Sequence, residues 1–186
     1  MTEFEKMIAG ELYSPIDEYL TKIRERAHHL CTEYNHLYED TDKVRRAEII
    51  KELLPNADEI SFFIGPIYFD YGINFYTGKV FFSNFNFTVL DCAPVVIGNN
   101  VMVGTNVSLL TPVHDMSYVK RNAPVEFARP ITIGDNCWLA SNVTVIGGVK
   151  IGSGSVIGAG SVVTRDIPEN VFAAGSPCRV IREIEN

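Results

Sequence analysis

The chain has 186 residues and a formal charge of −7, with 46% hydrophobic and 21% charged side chains, the balance of a soluble globular protein. That acidity excludes a general binder of nucleic acid or anionic membranes, which needs a clustered positive field. No apolar run approaches the ~20 residues of a membrane span, and the opening MTEFEKMIAG lacks a basic segment followed by an apolar core, so a cytoplasmic protein is expected.

Residues 1–60 read as a helical segment. Thr2 and Glu5 form a capping-box pattern before a short helix to Ala9, buried through Phe4, Met7 and Ile8. Ser14-Pro15 reads as a cap followed by proline at the first helical position. The helix it opens carries an apolar stripe of Tyr19, Leu20, Ile23, Ala27, Leu30, Cys31 and Tyr34. Thr41-Asp42 starts a third helix, with Val44, Ala47, Ile50, Leu53 and Leu54 expected inside and Pro55-Asn56 ending it. His28, His29 and His36 lie in this region. Adjacent residues on a helix point apart, so solvated or capping histidines are expected rather than a metal site.

After the linker 57–61 the composition turns aromatic and β-branched. Sixes run from Tyr71 as YGINFY, TGKVFF, SNFNFT and VLDCAP, slip by two at Val95-Val96, and resume at Ile97, Val103 and Leu109. The pattern vanishes over 115–129 and returns at Ile133, 36 residues after Ile97, so a loop thrown out of one coil is expected. From there the period is clean: Ile133, Leu139, Val145, Ile151, Ile157 and Val163 lead successive sixes, with small or aliphatic residues fifth and Gly or Ala often second. Six residues fit neither a helical face nor strand alternation. They fit a three-sided coil, stacked at ~4.8 Å, whose leading residues point inward and whose glycines ease the corners. Such repeats belong to β-helices. The expected layout is a β-helix over 61–168 with its excursion at 115–129, and a short tail over 169–186. The separated cysteines Cys31, Cys92, Cys137 and Cys178 form no CxxC pair and read as buried thiols in a reducing compartment.

His114 is the one histidine of the repeat half and stands at the base of the excursion. A histidine alone reads as a hydrogen-bonded core residue. Its position, its TPVHD setting and the polar Asn84 in an aromatic run favour chemistry. Imidazole can take a proton from an alcohol near neutral pH, and an asparagine amide can donate to a developing oxyanion. No GxSxG nucleophile motif is present, so direct transfer is the simpler scheme. Lys150, Arg165, Arg179 and Arg182 form a late concentration of positive charge, which reads either as a solvated face or as a phosphate clamp.

The motifs AGELY, DYG (70–72), NFN (84–86), VLD (89–91), PITIGDNCW (130–138), VIGAGSVVTRDIP (156–168) and AAGSPCRVIR (173–182) span nearly the whole chain. Together they resemble the maltose/galactoside O-acetyltransferase family of hexapeptide-repeat acyltransferases. The resemblance implies a mainly β fold, a left-handed parallel β-helix, against the usual right-handed crossover. It also implies a homotrimer with sites between subunits and acetyl transfer from acetyl-CoA to a hydroxyl of a sugar or similar acceptor. His114 falls on the family's catalytic base, and Asn84 on its transition-state-stabilising asparagine, which also contacts the acceptor. Asp70 and Asp17 match acceptor-side positions. Ser141, Ala159, Thr164, Arg165, Arg179 and Arg182 match acetyl-CoA positions, and Trp138 is placed beside that slot. No metal is implied. Two departures are visible: Cys92 stands where the galactoside branch carries an acidic residue, and His114 is followed by Asp115 where proline is common.

Three other readings compete: a hexapeptide acyltransferase for an amine or antibiotic, a γ-carbonic-anhydrase-like hydratase, and a silent oligomeric scaffold. The hydratase needs three histidine ligands on zinc, and the repeat half carries only His114.

Overall fold

The structure, a computed structural model, describes residues 1–185, so the last residue of the expected tail lies outside them. Helix α1 (Glu3–Ala9) opens on the expected capping box, Thr2 and Glu5 each bonding the other's backbone N–H. Helix α2 (Glu18–His36) starts three residues later than Ser14-Pro15 suggests. The Asp17 carboxylate accepts from the N–H groups of Tyr19 and Leu20, at 3.0 and 3.1 Å. A charged acceptor at a helix N-terminus satisfies orphan donors and complements the helix dipole, which sets the start there. In helix α3 (Lys43–Leu53) Leu53 is buried as expected, as is Leu54 just past its end, but Val44 and Ala47 face solvent and Arg46 and Ile49 face inward instead. Arg46 bonds the carbonyls of Leu37 and Ile64 and lies 4.0 Å over the Tyr34 ring. A hydropathy pattern cannot place a guanidinium inside; carbonyls and a π face can. No described helix is long and apolar enough to cross a membrane.

The remaining chain winds as a left-handed parallel β-helix with three faces. Face one stacks β1 (Phe62–Phe63), β4 (Phe82–Ser83), β7 (Met102–Val103), β12 (Trp138–Leu139), β15 (Val156–Ile157) and β17 (Val171–Ala174), all parallel. The antiparallel β18 (Arg179–Glu183) closes its edge. Face two stacks β2 (Ile67–Phe69), β5 (Phe87–Leu90), β8 (Ser108–Leu110), β13 (Thr144–Ile146) and β16 (Val162–Val163). Face three stacks β3 (Phe75–Thr77), β6 (Val95–Ile97), β11 (Ile131–Ile133) and β14 (Lys150–Ile151). The expected inward residues form unbroken ladders, for instance Val89, Leu109, Val145 and Val163, all fully buried. In the first two coils the interior is aromatic: Phe63, Phe69, Phe75, Phe81 and Phe87 pack with ring centroids 5.2–6.5 Å apart.

The irregularities share one place. From face two to face three the lower coils take six residues, as from Val145 to Ile151. In the first two coils the same step runs from Phe69 to Thr77 and from Val89 to Ile97, two residues longer. Tyr71 therefore leads no hexad; it lies in a widened corner and is buried in a separate cluster with Met7, Tyr13, Leu20, Cys92, Ala93 and Ala128. The slip read at Val95-Val96 is the second of these insertions. The third is the 115–129 excursion: β6 pairs directly with β11, so the loop leaves and rejoins a single coil. This second corner is the one the N-terminal segment packs against.

The glycines in second place of the sixes do not ease corners. Gly98, Gly104 and Gly134 have ordinary φ, and a Cβ on any of them would lie under 3.0 Å from backbone of the next coil. They permit close stacking. The left-handed corner positions belong instead to Asn86, Asn100, Asn106, Asn136, Asn142 and Asn170 and to Gly148, Gly154 and Gly160. Their amides stack, as in Asn86 to Asn106 to Asn142 at 2.9 and 3.1 Å. Val80 occupies the corresponding corner of the first coil at φ 61°, a costly conformation for a β-branched residue. Val80→Asn is expected to stabilise the fold by about 1 kcal/mol, since asparagine tolerates this region and its amide can extend the Asn100–Asn136 pair. Urea unfolding measures the change; equal or lower stability would contradict the assigned strain.

Candidate active site

The second corner brings together residues from three distant parts of the chain. Within the excursion, β9 (Pro112–Val113) and β10 (Phe127–Ala128) pair antiparallel with Phe127 opposite Val113, so Glu126 stands opposite His114. The four-residue helix α4 (Tyr118–Arg121) lies at the far end of the loop. His114 Nε2 is 3.7 Å from Glu126 Oε2. The His114 ring is 55% exposed, so it faces outward from the prism rather than into the aliphatic interior. Tyr13 pins the other side of Glu126: the two exchange backbone hydrogen bonds at 3.0 Å, and the Tyr13 hydroxyl donates to Glu126 Oε1. Burial, with Cys92 and Glu126 alongside, pushes the Tyr13 phenol far up, so it remains a donor. The carboxylate is thus held between a fixed phenol and an accessible imidazole.

Asp70 sits on the same corner in the first coil. Its carboxylate lies 3.4 Å from His28 Nε2 and 3.7 Å from the Cys92 thiol. Burial and the Asp70 charge push the Cys92 thiol up, so it donates rather than ionises. All four cysteines are free and buried, as their spacing suggests. His28 is half exposed as expected, yet it has this partner; His36 contacts the Thr32 carbonyl one turn back. Asp91, fully buried beneath the corner, accepts from Tyr71 N–H at 2.8 Å and Asn74 N–H at 3.1 Å, which shapes the widened turn. Burial lifts its carboxyl to about 6.

Asn84 lies elsewhere, at the first corner between β4 and β5. Its Oδ1 accepts from Phe85 N–H at 2.8 Å, which leaves the amide hydrogens with no partner among the described residues. Ser141 and Ala159 follow β12 and β15 on the same corner, in coils further along. A Cβ at Gly160 would meet nothing within 4 Å, so the corner is open there. Trp138 projects from face one, 48% exposed. Thr164 and Arg165, both exposed, return to the second corner just past β16. Arg179 and Arg182 stand exposed on β18; Arg179 donates to the Cys178 carbonyl, and Arg182 lies 5.7 Å over the Phe172 ring. Asp17 is committed through Oδ1 to capping α2.

Within one chain, then, His114, Asp70, Thr164 and Arg165 share one corner and Asn84, Ser141 and Ala159 another, with face two between them. The structure joins His114 to Glu126, which carried no sequence signal, and through it to Tyr13, the last residue of AGELY, for which the sequence suggested no such role; it does not join His114 to Asn84. Among the described residues no three His, Cys, Asp or Glu side chains converge as metal ligands. A cavity of about 750 Å³ between α3 and β1 lies at the end of the prism, away from both corners.

Residues 6–58 match the maltose acetyltransferase hexapeptide capping motif, and residues 130–165 match the bacterial transferase hexapeptide with six repeats. The galactoside O-acetyltransferase of Escherichia coli (strain K12) is 43% identical over 182 residues, covering 98% of this chain and 89% of that one. The crystal structure of a maltose O-acetyltransferase from Clostridium difficile 630 superposes with a TM-score of 0.94 at 41% identity, covering 100% of this chain and 99% of the other. A galactoside acetyltransferase in complex with coenzyme A also gives 0.94, at 43% identity, covering 100% and 92%.

Asp91 gives folding a defined pH dependence. Its folded value of about 6 stands above the ~3.9 of an unfolded aspartate, so the folded state holds the proton more tightly. Stability conferred by Asp91 should be greatest below about pH 4 and decline as pH rises to about 6. Asp91→Asn lacks this titration and supplies one backbone acceptor where the carboxylate supplies two, a cost of about 1–3 kcal/mol. Urea unfolding across this range should show the wild-type advantage over Asp91→Asn shrinking with rising pH; a constant or growing advantage would contradict it.

Proposed function

This chain belongs to the maltose/galactoside O-acetyltransferase family of hexapeptide-repeat enzymes, and from that membership we propose that it transfers acetyl from acetyl-CoA to a sugar hydroxyl. The observation that carries the reading is the outward-facing His114, backed by Glu126 and Tyr13 on the corner where the excursion leaves the coil. His114 removes the acceptor's hydroxyl proton as the oxygen attacks the thioester carbonyl. Glu126 stabilises the resulting imidazolium, and Tyr13 keeps Glu126 in place. The free amide hydrogens of Asn84 donate to the carbonyl oxygen as it gains negative charge. Protonated His114 then returns its proton to the departing sulfur.

His114 and Asn84 stand on different corners, so one reaction centre can use both only if they come from two copies of the chain. Exposed apolar side chains support such an assembly: Phe62, Met102 and Trp138 on face one, and Met116, Tyr118 and Val119 on the excursion. We read the assembly as a homotrimer, with each site in the groove between the second corner of one copy and the first corner of its neighbour. In that groove Arg165, Arg179 and Arg182 would meet the phosphates of acetyl-CoA, and Trp138, Ser141, Ala159 and Thr164 would line its pantetheine arm. Asp70, and with less freedom Asp17, face the acceptor. The neutral Cys92 beside Asp70 favours a glucose- or maltose-like acceptor over a galactoside.

Acetyl transfer to mono- and disaccharides, followed by thiol release, tests the proposal; no transfer to any sugar would reject the acceptor class. His114→Ala should lower turnover by about 10²–10⁴ with an unchanged melting curve, and near-normal turnover would remove His114 from its role. Glu126→Gln should lower kcat by about tenfold, the effect of losing ~1.4 kcal/mol of imidazolium stabilisation, with the KM for acetyl-CoA unchanged. A rise in that KM without a fall in kcat would assign Glu126 to binding instead.

A further inference from the structure

A second cavity lies beside the catalytic corner. Asn35 clamps α2 to β2, its amide bonded to both the N–H and the carbonyl of Ile67, at 2.8 and 2.9 Å. Above this clamp the helix and face two part to leave a cleft of about 320 Å³, bounded by His28, Thr32, Tyr68, Asp70 and Leu90, within the size range of small-molecule sites. His28, Thr32 and Asn35 are spaced i, i+4, i+7 and turn one polar stripe of α2 into it. Opposite stands Tyr68, which points outward from β2, is 48% exposed, and has a hydroxyl with no partner among the described residues. Leu90 at the inner wall pairs with Leu110, four residues before His114, so the cleft and the proposed base belong to adjoining coils of one corner.

The walls offer three distinct chemistries: an aromatic face, a carboxylate, and an imidazole 3.4 Å from that carboxylate whose other ring nitrogen has no partner among the described residues. A pyranose matches all three. Its axial C–H face packs on an aromatic ring, and its hydroxyls both donate to carboxylates and accept from imidazole. We propose that this cleft seats a second sugar ring, the one that does not receive the acetyl group, and that Tyr68 and His28 make the enzyme prefer a disaccharide acceptor. The proposal rests on the acetyl-transfer reading of the neighbouring corner. Tyr68 stacks on the ring. His28 fixes the Asp70 carboxylate and bonds a hydroxyl of the same ring, so discrimination comes from groups left unpaired when a monosaccharide binds.

Both side chains are about half exposed, so their removal should spare the fold. The experiment has two parts on the intact protein: kcat/KM for maltose and for glucose, and calorimetric titration with maltose in the absence of acetyl-CoA. Wild type should acetylate maltose in preference to glucose and bind maltose in the titration, and Tyr68→Ala and His28→Ala should each lower the maltose-to-glucose kcat/KM ratio about tenfold, the loss of ~1.4 kcal/mol. Acetyl transfer that shows no preference, or a ratio that neither variant moves, would overturn the subsite. If neither sugar is acetylated, titration still decides: maltose binding that weakens in both variants upholds the sugar cleft and rejects only the reading of these two sugars as acetyl acceptors. Binding equal in all three proteins, or absent from wild type, overturns the subsite.

Discussion

Backbone hydrogen bonds from each coil to the next are the constraint on which the molecule depends. Gly98 N–H donates to the Ile133 carbonyl, Gly134 to Ile151 and Gly152 to Ile167, at 2.8, 2.8 and 2.9 Å. These bonds fix which residue stands over which, and they need backbone approach too close for a side chain at the glycines. Once the stacking is fixed, the aliphatic ladder, the phenylalanine-filled upper coils and the asparagine columns follow from position alone. A parallel solenoid satisfies its backbone groups only coil to coil, so its open edge needs closure, which the antiparallel β18 supplies on face one.

The same constraint explains where chemistry can be placed. Extra residues are tolerated at a corner, where they bulge outward without disturbing the register on either side. Here all three insertions fall on the second corner, and the N-terminal segment packs against them through Tyr13, Leu20 and Met7. The rigid prism presents the short insertions with Asp70 and Asp91; the long one folds into a hairpin that returns Glu126 beside His114. Loops positioned by a stiff scaffold are the usual carriers of function. The proposed catalytic group, His114, is thus held by regular structure although its own segment is irregular.

Much of this was legible in the sequence, for a physical reason. A period of six persists only if every sixth side chain meets the same environment, so the inward ladder, the loop and its return in phase could all be read directly. The second-place glycines were visible, but their purpose was not, because close approach to the next coil is a contact between residues far apart in the chain, as Gly98 is from Asp135 and Gly134 from Ser153. Part of the inward face of helix α3 was misread because Arg46 is inward for reasons of hydrogen bonding that hydropathy ignores. His114 was singled out from its place at the loop base, and the structure turns it outward there. The pairing of Glu126 with Tyr13 could not be read, although Tyr13 ends the AGELY motif, since it depends on how the hairpin closes and where residue 13 docks. The separation of Asn84 from His114 onto two corners was equally hidden, as a six-residue repeat does not say which corner each unit turns.

That separation is what the proposal turns on, since the proposed reaction centre is completed only by a second copy. Chains carrying His114→Ala and chains carrying Asn84→Ala should each be nearly inactive alone. Denatured together in equal amounts and refolded, they should recover acetyl transfer in about a quarter of the sites, because random assortment leaves both groups intact in that share. A mixture no more active than its two components would show that His114 and Asn84 do not act across a boundary between copies, and the shared-site account would fail.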